Sequence, residues 1–161
     1  MEIERKFTIE TMPENLEQYS CHEIEQAYLC TSPVIRIRKQ DDDYYLTYKG
    51  SGLMIREEYN LPLTREAYEH LKEKADGKII TKKRYLIPLP DPDFSTTVPH
   101  STLEDLNLTI ELDLFTSPSN LVLAEVEFPS EQLAKSFLMP EWFLEDVTGD
   151  SRYQNCNMIF S

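Results

Sequence analysis

Apolar and polar side chains alternate along most of this chain with a period of two. That spacing is characteristic of strands in which residues i, i+2 and i+4 share a face. Alternating segments run over 2–9, 24–30, 33–40, 43–49, 54–61, 79–87, 107–115 and 121–128, eight strands in all. Short turns separate most of them, so neighbours are expected to pair antiparallel. The breaks are Asp41-Asp42-Asp43, Lys49-Gly50-Ser51-Gly52, the Pro-rich stretch from Pro88 to Pro99, and Ser117-Pro118-Ser119-Asn120. Two helices interrupt the pattern. Thr64 can cap one running to about Asp76, with Gly77 ending it and Ala67, Tyr68, Leu71 and Ala75 as its apolar stripe. Ser130 can cap another through Phe137, and a short C-terminal helix is expected from Asp150. No repeat or linker divides the chain, so residues 1–161 are expected to form a single domain.

Writing each strand as two faces sorts the charges. Glu2, Glu4 and Lys6 oppose Ile3, Arg5 and Phe7, while Arg36 and Arg38 oppose Ile35 and Ile37. Lys49 lies with Thr47 and Tyr45, Arg56 with Glu58 and Asn60, and Lys82 with Arg84. Glu111 and Asp113 oppose Ile110, Leu112 and Leu114, and Glu125 and Glu127 oppose Ala124, Val126 and Phe128. A charged face on one strand is usually a solvated face. Seven strands sharing the pattern, each with large apolar residues behind the charges, need those apolar faces covered. An open sheet with helices on one face would do this. A closed sheet would also leave no edges and would turn the charged faces inward.

Composition favours closure. The chain carries 16 basic and 29 acidic residues, a net charge of −13. The charged faces hold seven of each sign, leaving 9 basic and 22 acidic residues elsewhere, so the whole excess lies outside them. A barrel filled by fourteen charged groups as a self-neutralising network would be costly to desolvate. A wet, ligand-binding cavity fits better. Arginine forks grip phosphate oxygens, and crowded carboxylates call for a cation between them. The anionic total disfavours a nucleic-acid surface. No apolar run approaches the roughly 20 residues of a membrane helix. Met1 is followed at once by charged residues with no apolar h-region, so no secretory signal is expected. Cys21, Cys30 and Cys156 lack metal or disulfide spacing and are expected as buried small apolar residues in a reducing cytoplasm. Likewise, His22, His70 and His100 have no metal-ligand spacing, and Trp142 is expected to pack the C-terminal segment.

The order of these motifs resembles the CYTH, or triphosphate tunnel metalloenzyme, superfamily. Glu2-Ile3-Glu4-Arg5-Lys6-Phe7 is similar to its E-x-E-x-K opening strand and Val34-Ile35-Arg36-Ile37-Arg38 to its paired-arginine strand. Tyr44 to Gly50, Arg56-Glu57-Glu58-Tyr59, Lys82-Lys83-Arg84-Tyr85, Glu111-Leu112-Asp113 and Ala124-Glu125-Val126-Glu127-Phe128 follow in family order. Asp146 to Tyr153 resembles the C-terminal segment of small bacterial members. The resemblance implies a β-dominated α+β fold, a closed antiparallel eight-stranded β-tunnel (barrel) with helices outside. It implies metal-dependent hydrolysis of a terminal phosphoanhydride in an inorganic or organic triphosphate, inorganic tripolyphosphate first. Class IV-type adenylate cyclase, thiamine triphosphatase and a non-catalytic polyphosphate-binding module are the alternatives. The cyclases usually carry a His-Phe element upstream of E-x-E-x-K, where only Met1 stands here.

By the same resemblance, Lys6, Arg36, Arg38, Lys49, Arg56, Lys82 and Arg84 hold phosphates, and Arg152 reaches a tunnel mouth or lies on the surface. Glu2, Glu4 and Glu127, with Glu125 beside them, ligate one or two Mg²⁺ or Mn²⁺ ions. Glu58, Glu111, Asp113 and Lys82 are the catalytic candidates, near a second ion or the attacking water. One departure stands out: a strand that often reads R-x-E-x-E ends here in Asn60, which carries no charge. The implied partner is a small-molecule triphosphate, with no nucleic acid or membrane, for a cytoplasmic monomer or homodimer.

Overall fold

A computed structural model describes residues 1–160. In chain order the elements begin with β1 (Glu2–Ile9), β2 (Ser20–Thr31), β3 (Val34–Gln40), β4 (Asp43–Lys49), β5 (Ile55–Arg56) and β6 (Glu58–Pro62). Then come α1 (Arg65–Lys72), β7 (Asp76–Leu89), β8 (Asp93–Phe94), α2 (His100–Glu104), β9 (Leu108–Ser117) and β10 (Leu121–Glu127). The chain ends with α3 (Glu131–Ser136), β11 (Phe137–Leu138), β12 (Phe143–Asp146) and α4 (Asn155–Met158).

The sheet runs β12-β1-β10-β9-β7-β2-β3-β4-β6, antiparallel in every pairing. It closes because the expected strand 54–61 changes partner halfway. Residues 58–62 pair with β4, whereas Arg56 and Ile55 pair with Glu2 and Ile3 of β1. Glu57 is the step between them, its carbonyl accepting from Gly50 N at 3.0 Å. Counting β5 and β6 as one interrupted strand, eight strands form the ring. β1 shares its far edge between β5 near its start and β12, which pairs at Phe7 and Ile9.

Two of the three hydrophobic clusters lie outside this ring. Phe7, Ile110, Leu112, Ala124 and Val126 point outward under α3, β11 and β12, where Phe7 stacks against Phe143 at 4.9 Å between centroids. Ala27 and Ile37 receive Tyr68 of α1 on the outside. The third cluster is inside: Ile80, Phe115 and Leu123 share faces with Lys82, Asp113 and Glu125, and with Tyr28, Val34, Met158 and Ile159 they close one end of the ring. The rest of the interior is taken by charged residues. Lys6, Arg36, Arg38, Lys49, Lys82, Arg84, Asp113 and Glu125 are all buried.

Three local expectations change. α1 stops at Lys72, because Lys74 and Ala75 turn back tightly onto the carbonyls of Leu71 and Lys72 and Asp76 already pairs with Tyr28 in the sheet. Gly77 therefore sits at the start of β7 rather than ending the helix. The Pro-rich stretch is not wholly loop: β7 extends through Pro88 to Leu89, and Asp93–Phe94 pair with β11. The caps hold. The Thr64 hydroxyl accepts from Ala67 N at 3.1 Å and that of Ser130 from Leu133 N at 3.2 Å. Asp150 opens a 3₁₀ turn over Ser151–Tyr153, with α4 following. Trp142 packs edge-on against Phe143 in the C-terminal segment. No helix among the described residues is long and apolar enough to cross a membrane.

Candidate active site

The barrel encloses a polar cavity of about 170 Å³, room for about a dozen waters. Twelve of the sequence-derived candidates line it: Glu2, Glu4, Lys6, Arg36, Arg38, Lys49, Arg56, Glu58, Arg84, Glu111, Glu125 and Glu127. Strand register brings them together. Glu4 stands opposite Glu127, Lys6 opposite Glu125, and Glu125 opposite Glu111. Arg84 stands opposite Asp113.

The cations fall into two classes. The first is bound to carboxylates. Arg84 donates to Asp113 through Nε and Nη2 at 2.7 and 2.8 Å, to Glu111 through Nη1 at 2.7 Å and to Glu125 at 3.3 Å. Lys82 Nζ lies 2.8 Å from Asp113 Oδ2 with no side-chain exposure. Lys6 Nζ pairs with Glu125 at 3.3 Å and donates to the Tyr153 carbonyl at 2.8 Å. Lys49 bridges Glu2 at 3.0 Å and Glu58 at 3.4 Å, and Arg56 Nε lies 3.8 Å from Glu2.

The second class is Arg36 and Arg38, whose hydrogen-bond partners among the described residues are all neutral. Arg36 Nη2 donates to the Thr47 hydroxyl at 3.0 Å, and its buried Nε has no partner. Arg38 donates through Nε and Nη2 to Gln26 Oε1 at 2.9 and 2.6 Å and through Nη1 to Tyr45 at 3.3 Å. The amide nitrogen of the fully buried Gln26 is also unpartnered. Buried guanidinium groups with no counter-charge are costly, and burial beside Arg36 and Arg84 pulls the Arg38 pKa below its ordinary value. An anion bound here would relieve that cost.

Crowded carboxylates stand on the other side. Burial, a hydrogen bond to Glu58 and the charge of Glu4 push Glu2 up to about 8. Burial and Glu125 push Glu4 up to about 7. Glu111 is raised by burial and by Glu125 and Asp113, and Glu127 by burial and Glu58. Against the pull of burial, the bond from Glu2 and the nearby Lys49 hold Glu58 down to about 2. Glu125, despite complete burial, is held far below the carboxylate range by Lys6 and Arg84. No three Asp, Glu, His or Cys side chains among the described residues are drawn into a cage. The donor chemistry nevertheless fits a hard divalent cation: all-oxygen ligands, raised in pKa by burial and then by neighbouring carboxylates, both of which a bound cation would offset.

Three candidates stand apart from the cavity. Asp113 and Lys82 are buried behind its wall, so Asp113 acts on the site through Arg84. Arg152 is 80% exposed and folds onto Asp150 at 2.6 Å; it lies at the surface, away from the tunnel. Sequence reasoning missed Gln26, Tyr28, Tyr45, Gln154, Asn155 and Cys156. All but Gln26 line the cavity, and Gln26 props Arg38. On β2 the signal was the polar Gln26 at a period-two step from Tyr28, masked because its neighbours on that face, Ile24 and Tyr28, carry no charge. Cys156 is half-buried at the cavity, Cys30 half-buried and Cys21 exposed, so none is the buried apolar residue expected.

The CYTH domain profile matches residues 1–130. An inorganic triphosphatase of Nitrosomonas europaea is 36% identical over 99% of this chain and 97% of its own length. One of Acetivibrio thermocellus is 33% identical over 78% of this chain and 70% of its own. The crystal structure of the inorganic triphosphatase NE1496 superposes with a TM-score of 0.66 at 34% identity, covering all of this chain and 95% of that one. With the ring of strands, the ordered charges and this match over most of its length in agreement, the chain belongs to the CYTH domain family.

Proposed function

We propose that this protein is a divalent-metal-dependent triphosphatase that hydrolyses the terminal phosphoanhydride of inorganic tripolyphosphate. The observation that carries the reading is the pair Arg36 and Arg38. Both are at least 94% buried and lack a carboxylate partner, and they share one cavity with four carboxylates of raised pKa. A polyphosphate supplies the missing negative charge and, with its cation, neutralises the carboxylates. The relatives named inorganic triphosphatase support the choice of substrate.

Arg36 and Arg38 would take phosphate oxygens first, since binding there breaks no ion pair. Lys6, Lys49, Arg56 and Arg84 would add charge along the chain while keeping their carboxylates in place. Glu2, Glu4 and Glu127 would hold Mg²⁺ or Mn²⁺; Glu125 is already engaged by Lys6 and Arg84 and stands in support. When bound, the cation supplies charge neutralisation on the phosphoryl oxygens. Water attacks the terminal phosphorus in line, the bridging P–O bond breaks, and pyrophosphate leaves with the bond's electrons. Of the catalytic candidates, Glu58 and Glu111 reach the cavity. Glu111, its pKa raised, is the stronger proton acceptor for the water, oriented by Arg84 at 2.7 Å. Asp113 and Lys82 hold Arg84 and its surroundings in place.

A phosphate-release panel tests this: tripolyphosphate, thiamine triphosphate, ATP and pyrophosphate, each with Mg²⁺, Mn²⁺ and Ca²⁺. Tripolyphosphate with Mg²⁺ or Mn²⁺ should be fastest, and Glu4→Gln or Glu127→Gln should abolish release while leaving the fold intact. Tight polyphosphate binding with no release under any cation would instead make the protein a binding module, and cyclic AMP from ATP would make it a cyclase.

A further inference from the structure

Asn60 is the one uncharged member of the charged face on its strand, and its bonds form a directed chain. Strand register sets Arg36 opposite Thr47 and Thr47 opposite Asn60, with Glu58 two residues along β6 on the same face. The Thr47 side chain, fully buried, accepts from Arg36 Nη2 at 3.0 Å and donates to Asn60 Oδ1 at 2.6 Å. The amide orientation follows, since the hydroxyl has one proton and gives it to Oδ1. Asn60 Nδ2 then faces Glu58 Oε1 at 3.1 Å, while Glu58 Oε2 lies 3.4 Å from Lys49.

We propose that Asn60 is a positioning residue that couples the phosphate-gripping Arg36, through Thr47, to the Glu58 carboxylate. The relay runs guanidinium to hydroxyl to amide to carboxylate, and each link is polarised the same way. Only an amide completes it. A carboxylate at position 60 could accept from Thr47 but could not donate to Glu58, and it would set two negative charges side by side. An alanine would leave the Thr47 proton without its acceptor and so loosen the hydroxyl that holds Arg36. Arg36 has no carboxylate to hold it, so Thr47 is the hydrogen bond that fixes its fork before a ligand arrives. Preorganisation of that fork is where the relay would act, by sparing the bound anion the ordering of a loose guanidinium.

The inference rests on the triphosphate reading of the cavity. Asn60 is solvent-exposed on one side, so its truncation opens no core cavity and the variants should fold, which melting curves would verify. Tripolyphosphate binding is measured by calorimetry in EDTA, so that no cation and no turnover contribute. Asn60→Ala and Thr47→Val should each weaken binding about tenfold. The double variant should be no weaker than about tenfold, because both cut one chain. Thr47→Ser, which keeps the hydroxyl, should bind within about twofold of the wild type. Wild-type binding with an Asn60→Ala variant within twofold of it, or a double variant weakened by the product of the two single losses, would overturn the relay alone. A wild-type protein that binds no tripolyphosphate would overturn the triphosphate reading and the relay together.

Discussion

Arg36 and Arg84 are the same residue type on the same inner wall, with opposite surroundings and opposite predicted consequences. Arg84 neutralises Asp113, Glu111 and Glu125. Arg84→Met would leave Glu111 without its ion-pair partner and Asp113 and Glu125 with one lysine each, and the loss should be about 3–5 kcal/mol of stability. Arg36 forms no ion pair among the described residues and meets negative charge only through the field of Glu58, so Arg36→Met removes a poorly compensated buried charge. It should leave the ligand-free protein as stable as the wild type or raise Tm by about 2–4 °C, roughly 1 kcal/mol for a domain of this size. The same substitution should abolish the melting shift on adding tripolyphosphate and cut kcat/KM by about 100-fold or more. If Arg36→Met melted well below the wild type, the site would not be electrostatically open there. Glu111→Gln tests the proton acceptor: kcat should fall about 10²–10⁴-fold with KM little changed, and an unchanged kcat would move that role to another group. Alternation along the strands was enough to place Arg36 and Arg84 on the inner wall. It did not say which of them lacks a partner, because that depends on register: Thr47 and Tyr28 stand opposite Arg36, whereas Asp113 stands opposite Arg84.

At the scale of elements, the legible features are those governed by period and caps, and the illegible ones are those decided by pairing. Thr64 and Ser130 cap as their chemistry dictates. The break at Glu57 has no local signal. It exists because closing the ring requires one segment to serve β4 and β1 in turn. Gly77 shows the same limit. Its place after an apolar stripe reads as a helix stop, yet the sheet claims Asp76 first and leaves the glycine at φ 64° inside β7. A Cβ there would lie 2.7 Å from the Ile159 carbonyl oxygen. Gly77→Ala should therefore combine left-handed backbone strain with displacement of the chain after α4, about 1–2 kcal/mol in all, or roughly 2–8 °C in Tm. Because α4 is preceded by Gln154 and includes Asn155 and Cys156, which line the cavity, the shift should also appear as faster labelling of Cys156 than in the wild type. Unchanged melting and labelling would mean that this end of the chain is not seated on β7 as described.

Across the whole molecule, apolar side chains cover the outside of the ring and close one end of its interior, the charges fill the rest of the interior, and those charges are balanced in sum but not in place. Arg36 and Arg38 lack ion-pair partners among the described residues at one part of the cavity, while Glu2, Glu4, Glu111 and Glu127 are raised at another by burial and by nearby carboxylates, Glu58 and Glu125 among them. That division ties stability to pH in a direction opposite to the usual paired carboxylate. Glu2 and Glu4, raised from 4.5 to about 8 and about 7, keep protons in the folded protein that the unfolded chain has already lost. Stability from these groups is therefore complete below about pH 4.5 and declines as pH rises toward 7. Above 7 the trend is opposed by Lys82, which burial pushes down to about 7, so that the unfolded chain binds the extra proton there. In EDTA, Tm should fall between pH 5 and pH 7. A divalent cation held as proposed by Glu2 and Glu4 would take the place of those protons, so stabilisation by added Mg²⁺ or Mn²⁺ should be larger at pH 7 than at pH 5. Calorimetric titrations in two buffers of different ionisation enthalpy should register proton release on cation binding. A Tm in EDTA that climbs from pH 5 to pH 7, together with a cation shift independent of pH, would mean that these carboxylates are not the ones that meet the metal.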